Sequence, residues 1–297
     1  QWILAQGTIY PDTIESGSTQ NADKIKTHHN RVEQILKLMK LGSLIEPLAD
    51  LYKDEVREIG KKLELPASLI NRHPFPGPGL AIRTLCSDGK EFIDKEKALN
   101  KKLGEMQNFA SLQGLEIKVL PLKSVGVQGD NRTYKNPALI AGNASWKELN
   151  DLSINISNQF SEINRVVYLP PQLSNKCGGL PNQKVDPSEL KTKAAYLTKE
   201  RLDLLRKVDD LVHKEVNKNK LYKNIWQFPI ILVPLTLNGG ETIILRPIES
   251  KEAMTVNFYQ MSKTILNTLV KKILQIEGVD LVLYDITNKP PGTIEWE

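Results

Sequence analysis

The residues best suited to chemistry stand at a turn, in a stiff loop and in a pair of histidines. Gly129-Asp-Asn-Arg132 is a turn between two apolar stretches. Its arginine presents a planar fork that matches a phosphate monoester. Asp130, if near it, can accept from a hydroxyl or an N–H of the same ligand. A salt-bridged hairpin tip is the plainer alternative. His73-Pro-Phe-Pro-Gly-Pro-Gly-Leu-Ala-Ile-Arg83 carries three prolines and two glycines in eleven residues, so it is neither a helix nor a central strand. It reads as a rigid loop, either a hinge or a ligand wall whose Gly77 and Gly79 let backbone approach closely. His28 and His29 are adjacent, with no third ligand in view, which argues against zinc and leaves a surface turn. Cys86 and Cys177 lie far apart without a nucleophile signature, so both read as structural thiols of a reducing, cytosolic compartment.

The elements that must position these groups fall into two styles. Trp2-Ile-Leu-Ala5 reads as a short buried strand whose carboxyl end runs into Gly7-Thr8 and Pro11-Asp12, the end at which parallel sheets place ligands. A polar stretch from Ile14 to Asn30 follows and reads as a loop over a site. Helical spacing resumes at Val32, Ile35, Leu36 and Met39, then at Leu48, Leu51, Val56, Ile59 and Leu63, and Pro66 ends it.

Beyond residue 85 the chain repeats itself. Pro121 to Tyr168 spans 47 positions and Pro234 to Tyr284 spans 50, and each stretch reads as strand, turn, strand, helix, strand. The helices are expected at about 145–160 and 259–276. A long amphipathic helix over about 189–221, with the stripe Leu202, Leu205, Val208, Val212 and Val216, packs against the copies. Such units bury one sheet face under a helix.

Composition narrows the partners. Hydrophobic content of 40% and charged content of 25% suit a globular chain, and no apolar run approaches the roughly 18–20 residues of a membrane span. There is no basic leader, and the opening in mid-strand suggests a piece of a longer protein. A net charge of +5 favours anionic ligands but is modest for gripping a nucleic-acid backbone. The lysines of 95–102 and 214–223 read as solvated faces. Aromatic residues are few and scattered, so RNA stacking is a poor reading.

Four segments together resemble the synthetase part of the GMP synthases. They are Leu4-Ala-Gln-Gly-Thr-Ile-Tyr-Pro-Asp12 with Ile25-Lys-Thr-His-His-Asn30, the His73–Arg83 loop, Ser124-Val-Gly-Val-Gln-Gly-Asp-Asn-Arg132, and Lys289-Pro-Pro-Gly-Thr-Ile-Glu-Trp-Glu297. The resemblance implies an α/β plus α+β chain. Residues 1–85 would be the carboxyl portion of an ATP-pyrophosphatase (adenine nucleotide α-hydrolase-like) domain. Residues 86–188 and 189–297 would be two dimerisation-type repeats, as in the animal-type enzymes. The implied reaction adenylates the C2 oxygen of xanthosine monophosphate (XMP) with ATP and Mg²⁺, because that oxygen is otherwise a poor leaving group. Ammonia from a glutaminase domain or subunit then displaces AMP to give GMP.

Residue by residue, the resemblance makes Lys26, His28 and His29 a lid over the reaction centre, with Asp12 and Glu15 ordering it or helping hold Mg²⁺. His73, Gly77, Gly79 and Arg83 would line the substrate. Asp130, Arg132, Gln227, Lys289, Thr293, Ile294 and Glu295 would hold XMP, with Lys289 on its phosphate and Glu295 on ribose or base. The first copy keeps the Asp-x-Arg turn but has Leu-Pro-Pro-Gln after Tyr168. The second keeps the tail and Gln227 but has Asn238-Gly-Gly-Glu at its turn. One composite site in a monomeric internal pseudo-dimer follows. The lid differs at Ser16-Gly-Ser-Thr-Gln-Asn, and the family's ATP-gripping Ser-Gly-Gly-Val-Asp-Ser loop is absent, so this stretch alone is expected not to adenylate XMP. The competing class is a noncatalytic regulatory module that binds XMP or GMP.

Overall fold

The computed structural model describes residues 2–14, 32–70, 79–90, 114–129, 131–171, 185–250 and 256–297. Two compact units divide the chain, Gln1–Arg72 and His73–Glu297. In the first, Leu4–Ala5 pairs in parallel with Leu44–Ile45, and the same unit holds the helices Tyr10–Ile14, Glu33–Lys40, Lys53–Lys62 and Ala67–Ile70. The expected strand is therefore parallel, but it is not buried: Trp2 is 97% exposed and Ile3 58%. A two-residue pair offers too little face to cover a tryptophan.

The second unit is built on a seven-stranded sheet. Its strands are β1 (Glu116–Val119), β2 (Ser124–Gln128), β3 (Asn131–Ala141), β4 (Ile163–Leu169), β5 (Ile230–Val233), β6 (Glu241–Leu245) and β7 (Val279–Asp285). Three helices pack on it: α1 (Trp146–Gln159), α2 (Lys199–Lys218) and α3 (Lys263–Leu274). The strand order is β5-β6-β7-β4-β3-β1, with β2 on the early half of β3. Within the first copy β1 is antiparallel to β3, and β3 crosses over through α1 to a parallel β4. The second copy repeats the plan: β5 is antiparallel to β6, which crosses over through α3 to a parallel β7. The two join where β4 meets β7 antiparallel, Tyr168 opposite Tyr284. The result is one mixed sheet with an internal pseudo-twofold at the two tyrosines.

Period-two alternation explains why both faces of this sheet are covered. Val166, Tyr168, Val282 and Tyr284 point into the core under the helices, with Leu149, Leu152 and Ile156 of α1 and Leu266, Leu269 and Ile273 of α3. Val167, Leu169, Leu281 and Leu283 point the other way, toward Leu85, Leu190 and Trp296. Trp146 closes the first core at the junction, its ring 5.1 Å from Tyr284 and 6.1 Å from Tyr168.

Helix starts follow local capping. Ser145 accepts from the Glu148 N–H while Glu148 accepts from the Ser145 N–H, so α1 begins at Trp146. The long helix expected over 189–221 is shorter, Lys199–Lys218, because Thr198 caps it through the Arg201 N–H. The residues before it are extended: Lys191–Thr192 pairs with Leu235–Thr236, and Ala194–Ala195 with Ser87–Asp88. No helix among the described residues is long and apolar enough to cross a membrane.

Candidate functional site

After β7 the chain turns back and lays its tail along the open edge of β2. The Val127 N–H donates to the Pro291 carbonyl at 2.7 Å and the Val125 N–H to the Trp296 carbonyl at 2.9 Å. Gly126 and Gly292 form an antiparallel bridge between them. On its other edge β2 pairs with β3, with Val127 opposite Arg132 and Val125 opposite Tyr134. A tail that would fray alone is thus held as an added strand of the first copy, although it leaves from the second. At Gly126 a Cβ would lie 2.7 Å from the Pro291 carbonyl oxygen and 2.8 Å from Asn164 Cβ. Neither can yield cheaply, since one is backbone and Asn164 is buried. Gly126→Ala should therefore lift the tail, seen as new proteolytic cleavage after residue 288 in a chain whose circular dichroism is otherwise unchanged.

Beneath the tail lies a buried charged cluster. Arg165, Arg246 and Asp285 are each 0% exposed. Arg165 Nη1 donates to Asp285 Oδ2 at 3.0 Å, and Arg246 Nη1 stands 2.8 Å from the same oxygen. Trp296 Nε1 donates to it at 2.9 Å. Arg165 Nη2 reaches the Val125 carbonyl at 2.9 Å, the Thr293 hydroxyl at 2.8 Å and the Glu295 carbonyl. Arg246 Nε donates to the Ile294 carbonyl at 3.2 Å, and its Nη1 to the Thr287 carbonyl at 3.1 Å. Two guanidiniums face one carboxylate, so the surplus positive charge is answered by four backbone carbonyls, two of them from the tail. The Arg165 guanidinium also lies 4.8 Å over the Trp296 ring.

The charges stay on. Burial and the nearby Arg246 pull Arg165 down to about 9, with Asp285 opposing, so it is protonated at neutral pH. Burial pushes the Asp285 carboxyl up, but Arg246, Arg165 and Thr287 outweigh it and hold it below the ordinary aspartate range. A carboxyl depressed by folding stabilises the chain above its unfolded pKa, and that contribution disappears as pH falls through the folded value. Acid titration should therefore release the tail, read as a red shift of Trp296 emission. Asp285→Asn should flatten that acid limb.

Arg132 is exposed on β3 and faces the carboxylate of Glu297, lowering it against the burial that raises it. Thr293, Ile294 and Glu295 sit in the docked tail, Thr293 and the backbone of the other two in the grip of the arginines. Lys289 is half-buried, with its backbone paired to Val256 in both directions. Gln227 is buried and bridged to Ile248, which pairs in turn with Phe258, and the Phe258 N–H donates to Asn288 beside Lys289. The Gln227 Oε1 is buried without a hydrogen-bond partner. Arg132 thus stands one strand away from the docked tail and Lys289 opens that tail, while Gln227 connects to it only through Ile248, Phe258 and Asn288.

The remaining candidates lie elsewhere. Arg83 Nη1 donates to Asp209 at 2.7 Å and to the Ile230 carbonyl at 3.3 Å, so its guanidinium ties α2 to β5. Gly79 precedes this segment with open space around it. Asp12, in the first unit, accepts from the Ile9 N–H at 3.0 Å. Glu15, Lys26, His28, His29, His73, Gly77 and Asp130 lie outside the described residues. Among the described residues no group of three or more His, Cys, Asp or Glu side chains could hold a metal ion. Sequence reasoning missed Arg165, Arg246 and Asp285. Their signal was a charge within or at the end of a largely apolar strand, which demands a buried partner.

A family model described as GMP synthase C terminal domain matches residues 214–296. A Leptospira interrogans protein named "Probable GMP synthase (glutamine-hydrolyzing)" is 44% identical over 299 residues, covering 100% of this chain and 47% of the relative. GMP synthase (glutamine-hydrolyzing) of Dictyostelium discoideum is 33% identical over 99% of this chain and 46% of its own length. That of Heliobacterium modesticaldum is 32% identical over 99% of this chain and 38% of its own length. The chain spans about half the length, or less, of these curated relatives.

Proposed function

The chain belongs to the GMP synthase family, as its carboxyl-terminal part, and from that membership we propose that it holds XMP while the purine is aminated. The observation that supports this reading is the docked tail: Pro291 to Trp296 is bonded to the strand next to Arg132, within one chain, and Lys289 precedes it by two residues on Val256. Arg132 and Lys289 are two cations suited to a dianionic phosphate, one as a fork and one as a point charge. Glu295 and Asp130 would accept from ribose hydroxyls or purine N–H groups. The buried, unpartnered Gln227 Oε1 is an acceptor in want of a donor, as an N–H of xanthine would be.

In the reaction proposed for the whole enzyme, the C2 oxygen of XMP attacks the α-phosphorus of ATP and pyrophosphate leaves. Ammonia then adds at C2, AMP departs with that oxygen, and a proton is lost to give GMP. This chain's own part is to orient the purine and neutralise its phosphate, so that C2 stays in place between the two displacements. Lys26, His28 and His29 would close over the leaving pyrophosphate, and Asp12 and Glu15 would order that closure. Mg²⁺ would neutralise phosphate charge. Grip on ATP and supply of ammonia are not assigned to these residues.

Calorimetric titration of the chain with XMP, IMP and AMP tests the reading. XMP should bind, and the two nucleotides lacking the C2 oxygen should bind at least about tenfold more weakly, as loss of a hydrogen-bonded group requires. Equal binding of all three would leave a phosphate site without purine recognition and overturn the assignment.

A further inference from the structure

Away from the tail, at the junction of the two copies, a cavity of about 430 Å³ opens between the amino ends of α1 and α3. Lys263, at the start of α3, points its ammonium into this region, 4.0 Å from the centre of the Trp146 ring and 4.5 Å from that of Tyr168. Its Nζ is buried and makes no hydrogen bond. One turn on, Asn267 lines the same cavity, and its Oδ1 is likewise buried without a partner. Ring faces stabilise an ammonium but leave its N–H donors unfilled. A lysine and an asparagine four apart on one helix face could satisfy each other. Here they do not, and each is left unsatisfied at the wall of the cavity.

The one acidic group of the lining decides the ligand. Glu148 also lines the cavity, and its carboxylate is kept ionised by the Ser145 N–H and hydroxyl. Burial pulls the Lys263 ammonium below the ordinary lysine range, and among the described residues it forms no ion pair with a carboxylate. A simple anion placed on Lys263 would leave the Asn267 oxygen unfilled and stand against Glu148. A simple cation would stand against Lys263. A zwitterion answers all three groups: its carboxylate meets Lys263, and its ammonium lies between Asn267 Oδ1 and Glu148. We propose that this cavity, lined by Lys263, Asn267 and Glu148, binds a free α-amino acid. The site is separate from the tail and holds whether or not the tail binds XMP.

The test is a titration of the whole 297-residue chain with glycine, acetate and methylammonium, followed by heat and by the indole N–H resonance of Trp146, which donates to the Met261 carbonyl at 2.8 Å. Glycine at millimolar concentration should move that resonance, with acetate and methylammonium weaker by about tenfold or more. Lys263→Met should weaken glycine binding by at least about tenfold. Asn267→Leu should do the same without disturbing the rings, which guards against a folding defect at Lys263. XMP titration should be unchanged in both variants. Absence of a glycine response in the unmodified chain, acetate binding as well as glycine, or undiminished glycine binding by Asn267→Leu would each overturn the proposal.

Discussion

Asp285→Ala should destabilise the His73–Glu297 unit more than Arg165→Met does, although both remove one partner of the same ion pair. Breaking a buried pair costs about 3–5 kcal/mol because the remaining charge has no water and no partner. Arg165→Met leaves Asp285 with Arg246 at 2.8 Å and Trp296 at 2.9 Å, so the carboxylate stays compensated and the cost falls at the lower end. Asp285→Ala leaves two guanidiniums buried together with no carboxylate, and the cost falls at the upper end. Urea unfolding gives both values, provided the transitions stay two-state.

The ranking reverses for the tail. Arg165 Nη2 alone reaches Val125, Thr293 and Glu295, so it ties β2 to the tail directly. Arg165→Met should therefore expose Trp296 in the absence of denaturant and weaken XMP binding by about a hundredfold or more, the scale of losing two charge-assisted bonds. Arg165→Lys keeps the charge but not the fork, and should recover stability better than it recovers binding. A tail that stays docked in Arg165→Met would show that Arg246 and the strand bonds to β2 suffice.

How far the sequence disclosed this arrangement depends on the range of the interaction. The two copies were legible because spacing is local: Pro121 to Tyr168 and Pro234 to Tyr284 keep strand and helix periods in the same order, and the sheet follows them. The start of α2 was misread because a continuous helical pattern from 189 hides where a cap cuts it. Thr198 does so, and partners near 87 and 235 claim the residues before it. Trp2-Ile-Leu-Ala5 read as buried because apolar runs usually are, yet what covers a strand is a property of other segments. Arg165 and Asp285 stand 120 positions apart, and no window along the chain brings them together. Arg132 and Lys289 were marked by type and by family resemblance, whereas the clasp that seats the tail beside the arginine turn emerged only from the coordinates.

Arg132→Glu and Lys289→Glu should each abolish measurable XMP binding, and an equimolar mixture of the two variants should bind none. The direction follows from charge: a carboxylate in place of a guanidinium or ammonium turns attraction for a phosphate dianion into repulsion, worth about a hundredfold or more. Arg132 is exposed, so the melting temperature of Arg132→Glu should stay near that of the unmodified chain. The mixture separates two architectures. Were the tail of one molecule docked on the β2 edge of another, each mixed pair would assemble one site with both cations intact, and binding would return. Here the Val127–Pro291 and Val125–Trp296 hydrogen bonds close within a single chain, so every molecule pairs its own turn with its own tail. Each site in the mixture then lacks one of the two cations, whatever the partner concentration. Recovery of binding on mixing, growing with protein concentration, would mean that tails exchange between molecules and that the composite site is shared.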